Sequence, residues 1–151
     1  MATGGFVTDL DVGDVLGPIR YCVSAFTVRE YCHAVEIDAE AFLGAEDQIA
    51  PPTLVHLDKL KLYEAACPSG TGPTARLHIE FDADWHAPVR VGAAVEVLGR
   101  VIERFQKRGR TYVVTEITMT DTQAGAPLIV YRDTVILAYG TADAPDQRAT
   151  A

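Results

Sequence analysis

From residue 75 onward, apolar and polar positions alternate with a period of two. In A-R-L-H-I-E-F-D-A-D-W, Leu77, Ile79 and Phe81 alternate with Arg76, His78, Glu80 and Asp82. That pattern predicts a half-buried strand over residues 75–85. Residues 93–105, 111–121 and 128–139 read the same way. The turn K-R-G-R offers Gly109 for a positive φ, and A-G-A-P makes the next turn. Long strands joined by short turns predict an antiparallel meander.

The first half is helical in pattern. Residues 9–17 read as a turn-rich entry and 19–26 as a short extended segment. Thr27 is the expected N-cap of a first helix, with Glu30 three positions on completing a capping box. Val28, Tyr31, Cys32 and Val35 line one side of that helix, which should end near Glu36. Residues 39–50 read as a loop containing a helical turn. A second, central helix is expected over about residues 52–66. Leu54, Val55, Leu57, Leu60, Leu62, Tyr63, Ala65 and Ala66 leave most of its circumference apolar. A helix of that kind is expected to be buried on nearly all sides. P-S-G-T-G-P over 68–73 is a loop.

One long apolar helix followed by an antiparallel sheet predicts an α+β layer structure. A curved sheet wrapped around the helix, the hotdog fold, is the simplest way to hide that helix. Such a sheet leaves an edge strand open, so pairing with a second copy or another chain is expected. The 151 residues read as one domain over 1–140 with a polar, flexible tail over 141–151. A net charge of −8 argues against nucleic acid as a partner. The basic cluster Arg104, Lys107, Arg108 and Arg110 reads either as a solvated hairpin or as a dock for the phosphates of an acyl-CoA. No apolar run is long enough to span a bilayer, and the N-terminus does not read as a secretory signal. Cys22, Cys32 and Cys67 form no C-x-x-C pair and suit a reducing cytoplasm. Four scattered histidines suggest no metal site, and no motif calls for a cofactor.

The central helix opens with the most informative motif, Q-I-A-P-P-T-L-V-H. Proline is tolerated in a first turn because its missing N–H would have no partner there. The N–H groups of Thr53 and Leu54 are expected to be free at the positive end of the helix dipole, suited to an anion or a carbonyl oxygen. His56 and Asp58 follow. They lie about 200° apart around the axis, so they cannot pair directly. Asp58, beside Lys59 and Lys61, is expected at an exposed helix edge, and His78 on the solvent side of its strand.

F-T-V-R-E-Y-C-H-A-V, I-A-P-P-T-L and W-H-A-P-V-R-V-G-A-A-V-E-V together resemble the MaoC-like hydratase/dehydratase families, most closely their N-terminal-type dehydratase domain. Ala93 stands where an Asp is usual. The resemblance implies a hotdog fold and interconversion of enoyl and 3-hydroxyacyl thioesters on CoA or a carrier protein, in a homodimer or a heterodimer. It also implies an Asp and a His in the loop after the first helix. Asp38 matches the Asp, but Leu43 occupies the His position and cannot transfer a proton. Asp38 and His56 are therefore the catalytic candidates. Thr53, Leu54, Tyr31, Trp85 and His86 are the substrate-binding candidates. Two further readings stand beside the hydratase: a non-catalytic acyl-binding or scaffold subunit, and a thioesterase using Asp58 or Glu64.

Overall fold

The computed structural model describes residues 5–70 and 75–139, so the expected tail lies outside the described residues. A 3-10 turn, Val7–Asp9, precedes β1, Val15–Cys22, and α1, Ala25–Ala34. After the single turn α2, Glu40–Leu43, a 3-10 turn at Pro52–Leu54 leads into the central helix α3, Val55–Ala66. Four strands follow: β2, Ala75–Trp85; β3, Ala94–Lys107; β4, Arg110–Asp121; and β5, Ala126–Tyr139.

The period-two segments are the observed strands, but their order is β1-β3-β4-β5-β2. Only β3, β4 and β5 form the expected meander. The β3–β4 hairpin closes through Arg108 and Gly109, with φ of 52° and 71°, the two left-handed residues a tight hairpin turn requires. β2 pairs with β5 rather than with β3. The segment between β2 and β3 crosses the end of the sheet instead. It is held there by bonds from His86 N to Leu128 O, Ala50 N to Val89 O and Gly92 N to Val23 O. β1 and β2 are therefore the two edges.

α1 begins earlier than the pattern suggests. Ser24, not Thr27, is the N-cap: its Oγ accepts the Thr27 N–H at 3.0 Å. Both residues can cap, and the earlier one adds most of a turn while keeping Val28 and Cys32 on the buried side. The extended segment shifts upstream with it. β1 carries an irregularity between Leu16 and Ile19, where Gly17 has a φ of 90° and an added Cβ would lie 2.7 Å from Leu62. Only glycine fits so close beneath the helix.

The sheet curls around one side of α3. Leu16, Val95, Val97, Val101, Ile117, Met119 and Tyr131 form the core with Val55 and Leu62. The expectation that α3 is buried nearly all round is not met. Its buried stripe is Val55, Asp58, Lys59, Leu62 and Tyr63, while Leu60 is 49% exposed and Lys61 and Glu64 face outward. Two charged residues occupy the stripe and a leucine lies outside it, the reverse of a hydropathy ranking.

Candidate active site

The entry to α3 differs from expectation in one respect. The Leu54 N–H is not free: it donates to Pro51 O at 3.0 Å, closing the 3-10 turn, and the Leu54 side chain is buried in the core. Thr53 carries what remains of the donor site. No backbone carbonyl among the described residues accepts its N–H. Its exposed Oγ1 accepts the Tyr31 hydroxyl at 2.8 Å, so its own hydroxyl hydrogen stays available to a ligand. Tyr31, half-buried on α1, fixes that hydroxyl in place. The structure thus joins two residues separated by twenty-two positions.

Beside this turn lies a cleft of about 340 Å³, lined by Ile49, Pro52, Trp85, His86, Pro88 and Val89 among others. Trp85 is 50% exposed at the end of β2. Four of the five substrate-binding candidates, Tyr31, Thr53, Trp85 and His86, therefore stand around Pro51–Pro52–Thr53 and its cleft.

Among the described residues, no hydrogen bond or ring contact joins Asp38 to His56. Asp38 is exposed and accepts the Glu40 N–H at 3.0 Å, at the entry to α2. Leu43 packs against the core, and its carbonyl accepts Gln48 Nε2 at 2.8 Å. His56 is half-buried in the first turn of α3, its ring 4.4 Å from Phe81 and 6.0 Å from His78 between centroids. Burial, followed by the nearby Lys59 ammonium and His78, lowers its pKa below the usual imidazole value, so the ring is neutral at physiological pH.

Two polar clusters beneath α3 escape a reading by pattern. Asp58 is not at an exposed edge. It is 1% exposed and accepts the Tyr21 hydroxyl at 2.9 Å. Burial raises its pKa to about 6, against the opposing effects of the Tyr21 bond and Lys61. That enclosure also removes it as a water-activating carboxylate for a thioesterase. In the second cluster, the wholly buried Asp133 on β5 accepts Lys59 Nζ at 3.1 Å and the Tyr63 hydroxyl at 3.2 Å. His78 Nε2 lies 3.0 Å from the same Asp133 oxygen, so this ring does not simply face solvent. One sequence signal was available: Tyr131, Asp133 and Val135 share a face by alternation, which puts a charge at an inward position and so demands a buried partner.

The basic cluster is also divided. Arg104 Nη1 donates to the Thr8 and Leu10 carbonyls, tying the entry segment to β3, while Lys107, Arg108 and Arg110 sit exposed at the hairpin.

A five-stranded antiparallel sheet curled around a central helix defines a hotdog protein, here of the MaoC-like dehydratase class. The chain belongs to that family: residues 11–130 match the family model described as FAS1-like, dehydratase domain region. No curated protein matches the sequence. Among solved structures it is similar to the C-terminally truncated HadBC (3R-hydroxyacyl-ACP dehydratase) complex of Mycobacterium tuberculosis, with 20% identity, a TM-score of 0.69, and coverage of 84% of this chain and 98% of that one. The MaoC-like dehydratase from Rhodospirillum rubrum is similar at 18% identity and a TM-score of 0.62, over 88% and 96% of the two chains. The (R)-hydratase of A. caviae involved in PHA biosynthesis is similar at 19% and 0.60, over 83% and 96%. At these identities the likeness is one of fold.

Proposed function

We propose that this chain adds water to trans-2-enoyl thioesters, or removes it from 3-hydroxyacyl thioesters, as one subunit of a hotdog pair. The observation that carries the reading is the Tyr31–Thr53 hydrogen bond at the start of α3, beside the Trp85–His86 cleft. In hydration, negative charge develops on the thioester oxygen. A hydroxyl already accepting one bond is a stronger donor, and with its own N–H Thr53 offers two donors to that oxygen. The apolar cleft would hold the acyl chain. The family match supports the reaction class. CoA and an acyl-carrier protein are both admissible carriers, the latter echoed by the HadBC similarity.

β2 ends the sheet with an unpaired edge, and Leu77 and Ile79 are exposed on it. Such an edge suits a second hotdog subunit, either another copy or a different chain. Three free thiols fit a reducing compartment, which supports a cytoplasmic reading. A second reading is favoured by Leu43 alone: the chain shapes the acyl site while a partner subunit supplies proton transfer.

Hydration of crotonyl-CoA by the purified chain separates these readings. Turnover by the chain alone is the expected result, with Thr53→Ala reducing kcat/KM by about ten-fold or more. No turnover alone, with turnover restored by a second hotdog subunit, would favour the partner-dependent reading.

A further inference from the structure

The geometry around Asp133 contains an arrangement that the loop at Leu43 lacks. His78 Nε2 lies 3.0 Å from Asp133 Oδ1 and 3.0 Å from the Glu80 carbonyl oxygen. Both neighbours are acceptors, a carboxylate and a carbonyl, so Nε2 carries the ring hydrogen. In the neutral imidazole this leaves the lone pair on Nδ1. The carboxylate is held from two sides, by Lys59 Nζ on Oδ1 and by the Tyr63 hydroxyl on Oδ2. Tyr63 is itself bonded to Thr115 Oγ1 at 3.0 Å and stacked under the Arg76 guanidinium. Asp133 therefore has one position, beside a ring whose side chain is 39% exposed and whose Nε2–H meets the Glu80 carbonyl. A reachable imidazole with its hydrogen held on Nε2, next to a buried carboxylate that can stabilise the imidazolium, is suited to act as a directed base.

We propose that His78, positioned by Asp133, is the general base of this chain and performs the proton transfer that Leu43 cannot. The assignment rests on the hydratase reading above. His56 lies one helical turn beyond Thr53, and its ring centroid is 6.0 Å from that of His78, so His78 stands near the first turn of α3. His78 also stands on β2, where an edge-paired hotdog subunit would enclose it.

In the hydration direction, Nδ1 takes one proton from water as the water oxygen bonds to C3 of the enoyl group. The C2=C3 π pair moves toward the thioester oxygen, where Thr53 donates. The imidazolium then returns its proton to C2 as the enolate collapses. One water is added across the double bond, and His78 ends neutral. The transferred proton resides on Nδ1 and not on the Asp133 carboxylate.

His78→Gln is the direct test. Its amide can still donate to Asp133, which preserves the buried cluster, but it has no basic nitrogen. Crotonyl-CoA hydration should fall by about 100-fold or more in kcat, with Tm little changed. Free imidazole should partly rescue His78→Ala. Nitrogen NMR of the neutral wild-type ring should show hydrogen on Nε2. For Asp133 as a positioning residue, the double variant Lys59→Met/Asp133→Asn keeps the interior uncharged. It should lower kcat with KM nearly unchanged and shift the His78 tautomer. Turnover surviving in His78→Gln, or a ring protonated on Nδ1, would overturn the dyad and leave the hydratase reading standing. A wild-type chain with no turnover despite the Nε2–H tautomer would overturn the catalytic assignment together with self-sufficient hydration.

Discussion

Replacing Asp58 with asparagine should stabilise this protein at neutral pH and leave it nearly unchanged in acid. Asp58 is buried against β1 with a neutral phenol as its hydrogen-bonding partner. Burial dominates and raises its pKa from 3.8 to about 6. The folded state therefore binds this proton more tightly than the unfolded chain does. The group's stabilising contribution is fully present below the unfolded pKa of 3.8 and is lost as pH rises through about 6. A shift of roughly two units corresponds to about 3 kcal/mol, which becomes a constant penalty above that window. Asparagine is uncharged throughout, and its Oδ1 can accept the same Tyr21 hydroxyl. Tyr21 remains the donor, since desolvation and the Asp58 charge both raise its own pKa. Urea unfolding of both proteins across about pH 4 to pH 8 checks this. The stability difference should grow from near zero to as much as about 3 kcal/mol in favour of the variant, with most of the change between about pH 4 and pH 6. Taking the difference cancels carboxylates common to both chains. A difference that does not vary with pH would refute the reasoning.

Ser24→Ala should cost about 1 kcal/mol in chemical denaturation by removing the cap of α1, whereas Thr27→Ala should cost less, because Thr27 Oγ1 caps no backbone group. Lys59→Met alone should cost about 3 to 5 kcal/mol by leaving Asp133 buried without its cation, and adding Asp133→Asn should return most of that loss.

Much of the fold was legible because its determinants are local. Alternation marks a strand wherever one face meets a core, so residues 75–139 resolved into four strands without knowledge of their order. Pairing order is not local. It depends on the segment after Trp85 crossing the sheet end, held by carbonyls of β5 and of residues before α1. The site divides along the same line. Pro51, Pro52 and Thr53 announce a helix start, and Tyr31 and the Trp85–His86 pair converge on it. The Leu54 N–H could not be assigned correctly in advance, because Pro51 O accepts it only when the first turn tightens to 3-10 geometry. Asp38 follows from register with the family's Asp and His56 from Leu43 filling the usual His position, and nothing in their local sequence tells whether the fold brings them together.

The rotation of α3 shows why its buried face was hidden from a hydropathy reading. Leu57 and Leu60 would serve a core as well as Val55 and Leu62, so apolar residues alone permit several rotations of the helix. Charges remove that freedom. Asp58 meets Tyr21 of β1 on one flank of the buried stripe, and Lys59 meets Asp133 of β5 on the other. Turning the helix by one residue, about 100°, would break both contacts and leave two ionised groups without partners in the interior. Well-packed hydrophobic residues at these positions would commonly be as stable or more so. Stability by itself therefore does not explain the charges, whereas a fixed rotation does. It holds His56 beside His78 and keeps Lys59 on the carboxylate next to the His78 ring. The Lys59→Met/Asp133→Asn chain separates the two effects: it should keep its stability while amide protection along α3 falls, and retained protection would show that packing alone sets the rotation.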